Sequence, residues 1–82
     1  MKLIDYIKTL SPSVREAFAE RCGTTYGHLK NVAYGYRPCD AGLAIAIERE
    51  AGREVLCEEL RPDVDWAYLR GTLLNQPQQE AA

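Results

Sequence analysis

The sequence predicts an all-α domain of five helices that contains a helix-turn-helix. Apolar residues recur at spacings of three and four along most of the chain, which is the period of an amphipathic helix. Residues that begin or end helices, such as Pro12, Asp40 and Gly52, separate these segments. No run of alternating apolar and polar residues is long enough to predict a strand.

The first two helices are predicted over residues 2–10 and from Pro12 to about Cys22. Ser11 is a natural cap for the second helix, and proline suits a first helical turn because its missing N–H is not needed there. One face of the first helix is apolar, at Leu3, Ile4, Ile7 and Leu10. The inward face of the second is predicted to hold Val14, Ala17, Phe18 and Cys22.

A turn at Gly23 and a third helix from about Thr25 to Tyr34 complete the predicted helix-turn-helix. Glycine suits the end of a helix because positive φ costs little without a Cβ. Ala19 is small enough for the third helix to approach the second closely, and Thr25 is placed to cap the third. The shared core of the pair is predicted at Phe18, Cys22, Leu29 and Val32.

The fourth helix is predicted from Ala41 to about Ala51, with Asp40 as its cap and Gly52 as its end. Its inward face holds Leu43, Ala44, Ile47 and Ala51, whereas Ile45 points elsewhere. A short fifth helix covers about 57–61, and residues 63–69 form a final turn that packs Trp66 on the core. Residues 1–70 are therefore one domain, and the polar segment 71–82 is predicted to be a disordered tail.

Composition and charge narrow the function classes. The net charge of the 82 residues is −2, but residues 1–37 carry six cations against three carboxylates, and residues 38–82 carry four against nine. The basic half coincides with the predicted helix-turn-helix, as expected for a phosphate-facing side. No apolar run could span a membrane and no secretory signal is visible, so a cytoplasmic protein is expected.

Catalysis and metal binding are not indicated by any motif. The chain has one histidine and no recognisable nucleophile or phosphate-loop motif, so we expect no enzymatic activity. Three cysteines at wide spacing favour buried thiols over disulfides or a zinc site, and no cofactor is predicted. Their positions are 22, 39 and 57.

Double-stranded DNA is the partner that the helix-turn-helix favours, with the third helix in the major groove. Candidate base contacts are Tyr26, Gly27, His28, Lys30 and Asn31; asparagine, for example, can pair bidentately with adenine. Candidate phosphate contacts are Arg15, Thr25, Tyr36 and Arg37. The competing interpretations are a solvated surface on a helical corner that binds no DNA and, for Tyr34 and Tyr36, partial packing on the fourth helix.

A domain of this size covers few base pairs, so useful specificity calls for two copies on a two-fold operator. Candidate residues for association into a homodimer or higher homo-oligomer are Leu43, Ile45, Val64 and Leu69.

Two family resemblances extend this prediction. Residues 23–32 resemble the turn and recognition helix of lambdoid phage Cro and CI repressors, and residues 46–49 and 52–70 are similar to the YdaS-type Cro-like proteins of bacterial prophages. The resemblance implies a five-helix Cro/CI-like fold, repression at a phage promoter and self-association. Because members are often described as antitoxins, it leaves open an antitoxin that binds a toxin protein and autoregulates its operon.

Overall fold

The structure, a computed structural model, describes residues 1–70. All regular secondary structure within these residues is helical, which confirms the predicted all-α class. The helices are α1 (Leu3–Lys8), α2 (Pro12–Arg21), α3 (Tyr26–Ala33), α4 (Ala41–Glu50), α5 (Cys57–Leu60) and α6 (66–70). The predicted disordered tail lies outside the described residues. None of the helices over 1–70 is both long and apolar enough to cross a membrane.

The link between α2 and α3 is a four-residue turn that reverses the chain at Gly23. The φ of Gly23 is +80°, in the left-handed region that favours glycine. The Gly23 N–H donates to the Glu20 carbonyl at 2.9 Å, and the Thr24 N–H donates to the Ala19 carbonyl at 3.0 Å. This pair of bonds is a Schellman motif, which satisfies two carbonyls at the end of α2. The predicted turn is therefore confirmed.

Side-chain caps begin α3 and α4 as predicted. Thr25 Oγ1 accepts from the His28 N–H at 3.2 Å, and Asp40 Oδ1 accepts from the Leu43 N–H at 2.7 Å. Each bond satisfies one of the amides that a helix start leaves without a partner. Ser11 occupies the N-cap position of α2, but its side chain makes no capping bond.

One hydrophobic core joins all six described helices. Its largest fully buried side chains are Phe18, Leu29, Ile47 and Val55. The predicted inward face of α4 is buried, and Ile45 is 49% exposed, as expected. Ala19 is fully buried where α2 packs against α3, so its small side chain permits that approach.

Two residues predicted to face inward from α2 do not. Val14 is 43% exposed and Ala17 is also exposed. The inward stripe of α2 runs instead through Arg15, Phe18, Ala19 and Cys22, at helical spacings of three and four. The prediction was wrong because it chose the inward residues by their apolar side chains. In the structure Arg15 faces inward instead of Val14, and its Nε–H donates to the Ile7 carbonyl.

The described chain has one more helix than predicted. Residues 66–70, predicted as part of a turn, form α6. Asp65 Oδ1 accepts from the Tyr68 N–H at 3.1 Å, which caps the start of this helix. Trp66 is 5% exposed, and its indole N–H donates to the Arg61 carbonyl at 2.7 Å. The predicted packing of Trp66 on the core is therefore correct, although the local structure is a helix.

The three cysteines are buried and unbonded to one another, at 22, 39 and 57. Burial raises the pKa of each thiol from 9.0 to about 11. The thiols therefore stay protonated near neutral pH and behave as small apolar side chains.

Candidate nucleic-acid interface

The outer face of α3 is polar and accessible. Leu29 is buried beneath this helix, whereas Gly27, His28, Lys30 and Asn31 are exposed. Gly27 and Asn31 lie four residues apart, opposite the buried side of the helix. The structure therefore brings these four candidate base contacts onto one accessible surface.

The two flanks of α3 differ in what surrounds them. His28 borders a depression that it shares with the α2–α3 turn and the start of α4, through Gly23 and Asp40. Tyr26, Lys30 and Tyr34 lie on the opposite flank at intervals of four residues. Tyr26 is half-buried and packs against the core, so it offers less surface to a ligand than the other candidate base contacts.

The candidate phosphate contacts lie on α2, at the start of α3 and just after α3. Arg15 is half-buried, and its Nε–H donates to the Ile7 carbonyl at 3.0 Å, near the end of α1. Thr25 is exposed at the start of α3. Tyr36 and Arg37 are exposed just after α3 ends.

Tyr34 and Tyr36 form an exposed aromatic pair. Their ring centroids are 6.2 Å apart at an interplanar angle of 21°, and the side chains are 51% and 77% exposed. Because both rings stay exposed, the structure favours the surface interpretation over packing on α4.

The cations divide into two groups according to their partners. Within residues 1–70, five arginines form ion pairs with carboxylates, at positions 21, 49, 53, 61 and 70. The other five lysine and arginine side chains of this part of the chain form none, and all belong to residues 1–37: Lys2, Lys8, Arg15, Lys30 and Arg37. Lys2 and Arg37 line one depression beside the end of α3, and the other three line a second.

Ion pairs link the helices of the acidic half of the chain. Arg70 Nη2 lies 2.7 Å from Glu48 Oε1 and 2.8 Å from Glu58 Oε1, and it thereby joins α4, α5 and α6. Hydrogen bonds from Arg70 lower the pKa of Glu58 from 4.5 to about 2 and also lower the pKa of Glu48. The Arg61 guanidinium likewise lowers the pKa of Asp63 to about 2. Arg61 and Arg70 therefore already have carboxylate partners, whereas the cations that line the depressions beside α3 have none within residues 1–70.

One candidate association residue lies in the core. Leu43 is only 8% exposed because it points inward from α4, so it offers almost no surface to a second copy. Val64 is half-buried against the core. Ile45 and Leu69 are 49% and 46% exposed, and they border a groove between α4 and α6 of about 390 Å³.

Sequence reasoning missed two residues that the structure brings beside the candidate interface. Lys8, at the end of α1, and Tyr34, at the end of α3, line a cleft with Arg15, Tyr26 and Lys30. Lys8 was missed because its neighbours come from two other helices, and no local pattern reports that proximity.

The second helix of the α2–α3 pair presents an accessible polar face. This arrangement places the protein in the class of small all-helical helix-turn-helix domains.

Comparison with known proteins identifies the family. The family model described as "Bacterial toxin YdaS" matches residues 14–69. A curated protein of Escherichia coli (strain K12), named "Putative transcriptional regulator YdaS", is 45% identical over 56 residues, which are 68% of this chain and 57% of that protein. The chain thus spans less than two thirds of the length of this relative. No solved structure matches the chain significantly.

The chain belongs to the YdaS family. The predicted membership of the YdaS type is therefore confirmed. The matched region begins in α2 and ends in α6, so it includes the helix-turn-helix, α4 and the segment that holds Trp66.

Proposed function

We propose that this protein is a sequence-specific DNA-binding transcriptional repressor of the Cro/YdaS type, with α3 in the major groove of a two-fold operator in a phage or prophage regulatory region. One observation carries the proposal: the five lysine and arginine side chains of residues 1–70 without a carboxylate partner lie in residues 1–37, and all five line depressions beside α3 or its end. Such cations can replace the counterions of DNA phosphates, whereas paired arginines would first have to break an ion pair. The name of the Escherichia coli relative, a transcriptional regulator, also supports it.

Base reading in this proposal belongs to the outermost part of α3. Asn31 can pair with an adenine edge, and His28 can donate or accept at a base edge. Gly27 has no side chain and nothing within 4 Å of where a Cβ would lie, so it leaves room for close approach of the groove. Thr25, Tyr36 and Arg37 would position the domain through phosphates.

Selection of bound sequences from random duplex DNA tests the function directly. We expect recovery of a two-fold consensus. In mobility-shift assays with that consensus, the logarithm of the affinity should fall linearly with the logarithm of the salt concentration. Failure to enrich any sequence, with weak binding that is equal for all duplexes, would contradict the proposal.

Asn31→Ala tests the reading helix. Loss of a bidentate base contact should cost about 1–3 kcal/mol of discrimination at one base pair of each half-site. Because Asn31 is neutral and exposed, affinity for random duplex and the helical circular dichroism should stay as in the wild type. Unchanged base preference would remove Asn31 from the reading surface.

Two copies are required for a two-fold operator, and we assign their contact to the groove between α4 and α6. Ile45 and Leu69 expose apolar surface at its edges, and Trp66 lines it. Ile45→Glu should lower the mass measured by light scattering to that of one chain, and it should weaken operator binding more than random-duplex binding. The helical circular dichroism should stay as in the wild type, because half of the Ile45 side chain is exposed in the single chain and the fold does not depend on its burial.

The antitoxin alternative uses the same groove for a different protein. Two results together would replace the dimer assignment with the antitoxin alternative. The purified wild type alone would be a monomer, and a second gene product would co-purify with the wild type but not with Ile45→Glu. An unchanged dimer mass in Ile45→Glu would remove this groove from the association surface.

A further inference from the structure

A cleft between α1, α2 and the flank of α3 brings three cations together. Seven residues line this α1–α3 cleft of about 140 Å³: Ile4, Ile7, Lys8, Arg15, Tyr26, Lys30 and Tyr34. The polar members are three cations and two phenols, and no carboxylate is among them. Like charges that converge without a counter-charge repel one another, so this arrangement favours an anion between them.

The three cations differ in how they are held. Arg15 is fixed, because its Nε–H donates to the Ile7 carbonyl at 3.0 Å. This bond uses one of five guanidinium donors and leaves the two terminal nitrogens for a ligand. Lys8 and Lys30 are exposed and form no ion pair within residues 1–70, so their ammonium groups can close over a bound group from two sides.

The cleft has the size and chemistry for one phosphate group. Its volume is several times the roughly 30 Å³ that a water molecule occupies in the liquid. A rigid guanidinium suits two phosphate oxygens at once, and lysine ammonium groups bind phosphate as point charges. The phenolic hydroxyls of Tyr26 and Tyr34 can donate to the remaining oxygens.

We propose that the α1–α3 cleft binds one backbone phosphate of DNA through Lys8, Arg15 and Lys30, with Tyr26 and Tyr34 as hydroxyl donors. The inference rests on the proposed function and deepens it. It assigns Lys30 and Tyr26 to affinity rather than base reading, because both line the cleft beside the Gly27 and Asn31 stripe of α3. It also adds Lys8, from outside the helix-turn-helix, to the binding surface.

Lys8→Gln is the main test because Lys8 is exposed and makes no bond that the fold needs. Loss of one of the three cations that hold the phosphate should lower the magnitude of the slope of log affinity against log salt by up to about 0.9. The affinity at about 0.15 M salt should fall by up to about fivefold, equally for the selected operator and for random duplex. Arg53→Gln is the matched control: it removes one positive charge just beyond α4, where Arg53 Nε lies 3.9 Å from Glu48 Oε2. Arg53 lines neither the α1–α3 cleft nor the groove between α4 and α6, and the slope should not change.

Lys30→Gln separates phosphate binding from base reading. We expect the same uniform loss of affinity and an unchanged selected consensus. A consensus that relaxes at one position would return Lys30 to the reading surface. A salt slope that stays at the wild-type value in Lys8→Gln, with wild-type DNA binding intact, would overturn the cleft as a phosphate site.

A titration of the full chain with inorganic phosphate, followed by NMR, tests the cleft without DNA. Saturable shifts are expected at Lys8, at the Arg15 Nε–H and at Lys30, and Lys8→Gln should reduce them; sodium chloride at equal ionic strength should not produce them. If these shifts occur but no duplex is bound, the cleft is an anion site and the proposed DNA function fails. If the shifts are linear, spread over all exposed cations and unchanged in Lys8→Gln, the cleft proposal fails whether or not DNA binds.

Discussion

Glycine has opposite uses at two positions of the helix-turn-helix. Gly23 has a φ of +80°, whereas Gly27 lies inside α3 with an ordinary helical backbone. A Cβ would meet no atom within 4 Å at either site, so sterics with neighbours do not distinguish them. Only the backbone conformation does: the turn needs Gly23, and α3 would be more stable without Gly27.

Gly23→Ala and Gly27→Ala should therefore change stability in opposite directions. We expect Gly23→Ala to cost about 1–2 kcal/mol, because an L side chain is strained in the left-handed region. Gly27→Ala should stabilise by about 0.5 kcal/mol, because alanine loses less conformational freedom in a helix. Thermal unfolding by circular dichroism measures both, at roughly 4–8 °C per kcal/mol for a domain of this size.

Gly27→Ala also tests function, because the added methyl group lies on the proposed groove-facing stripe. If α3 enters the groove closely, this variant should be more stable and yet bind the selected operator less tightly. Tighter or equal operator binding would show that Gly27 does not allow close approach. A stabilised Gly23→Ala would contradict the turn geometry itself.

At the scale of single helices, caps and glycines predicted most boundaries correctly. Thr25 and Asp40 begin α3 and α4 with the bonds that were predicted, because an N-cap depends only on residues three apart in sequence. Val14 was misplaced because the inward face of a short helix depends on its partners. Arg15 reaches the Ile7 carbonyl and takes the inward position, and only the folded arrangement of α1 and α2 creates that contact.

The same limit applies to α6 and to the candidate site. Helix α6 was predicted as a turn, although its cap, Asp65, was present in the sequence. The exposed face of α3 followed from periodicity. The grouping of Lys8 with Arg15 and Lys30 could not be predicted, because it depends on how three helices pack.

The cap of α3 gives a prediction at this scale. Thr25→Ala should destabilise the domain by about 1 kcal/mol, because the His28 N–H loses its partner at the start of the helix. Thr25→Ser is the matched control, since its hydroxyl can make the same bond, and its unfolding temperature should stay near the wild type. Equal losses in both variants would mean that the methyl group of Thr25, rather than the capping bond, supports the helix.

The whole molecule has two electrostatic halves that serve different purposes. Beside α3 the cations have no carboxylate partner within residues 1–70 and are available to a ligand. Beyond residue 38 the arginines are paired, and Arg70 joins the carboxylates of Glu48 and Glu58 across three helices. The net charge of −2 therefore says little about DNA binding, because cations exceed carboxylates in residues 1–37 and the excess of carboxylates lies in residues 38–82.

The Arg70 cluster should make the docking of α6 sensitive to acid. The folded-state pKa of Glu58 lies at about 2, below its ordinary value of 4.5, and that of Glu48 is also lowered, in both cases first through hydrogen bonds from Arg70. A lowered folded-state pKa contributes stability above the unfolded-state value, and that contribution is lost as the pH falls from about 4.5 towards 2. We expect the unfolding temperature to fall through this window.

Trp66 provides the measurement that assigns this loss to α6. It is the single tryptophan, and it is buried at the start of α6, so its fluorescence should report exposure as the pH falls. Arg70→Gln should lower the unfolding temperature near neutral pH and flatten the acid dependence, because its carboxylates would then titrate nearer to their ordinary range. Lys2→Gln, which removes a cation that has no ion pair within residues 1–70, should leave that dependence unchanged. If Arg70→Gln and the wild type lose Trp66 burial at the same pH with the same slope, the Arg70 cluster does not hold α6, and its apolar contacts with the core suffice.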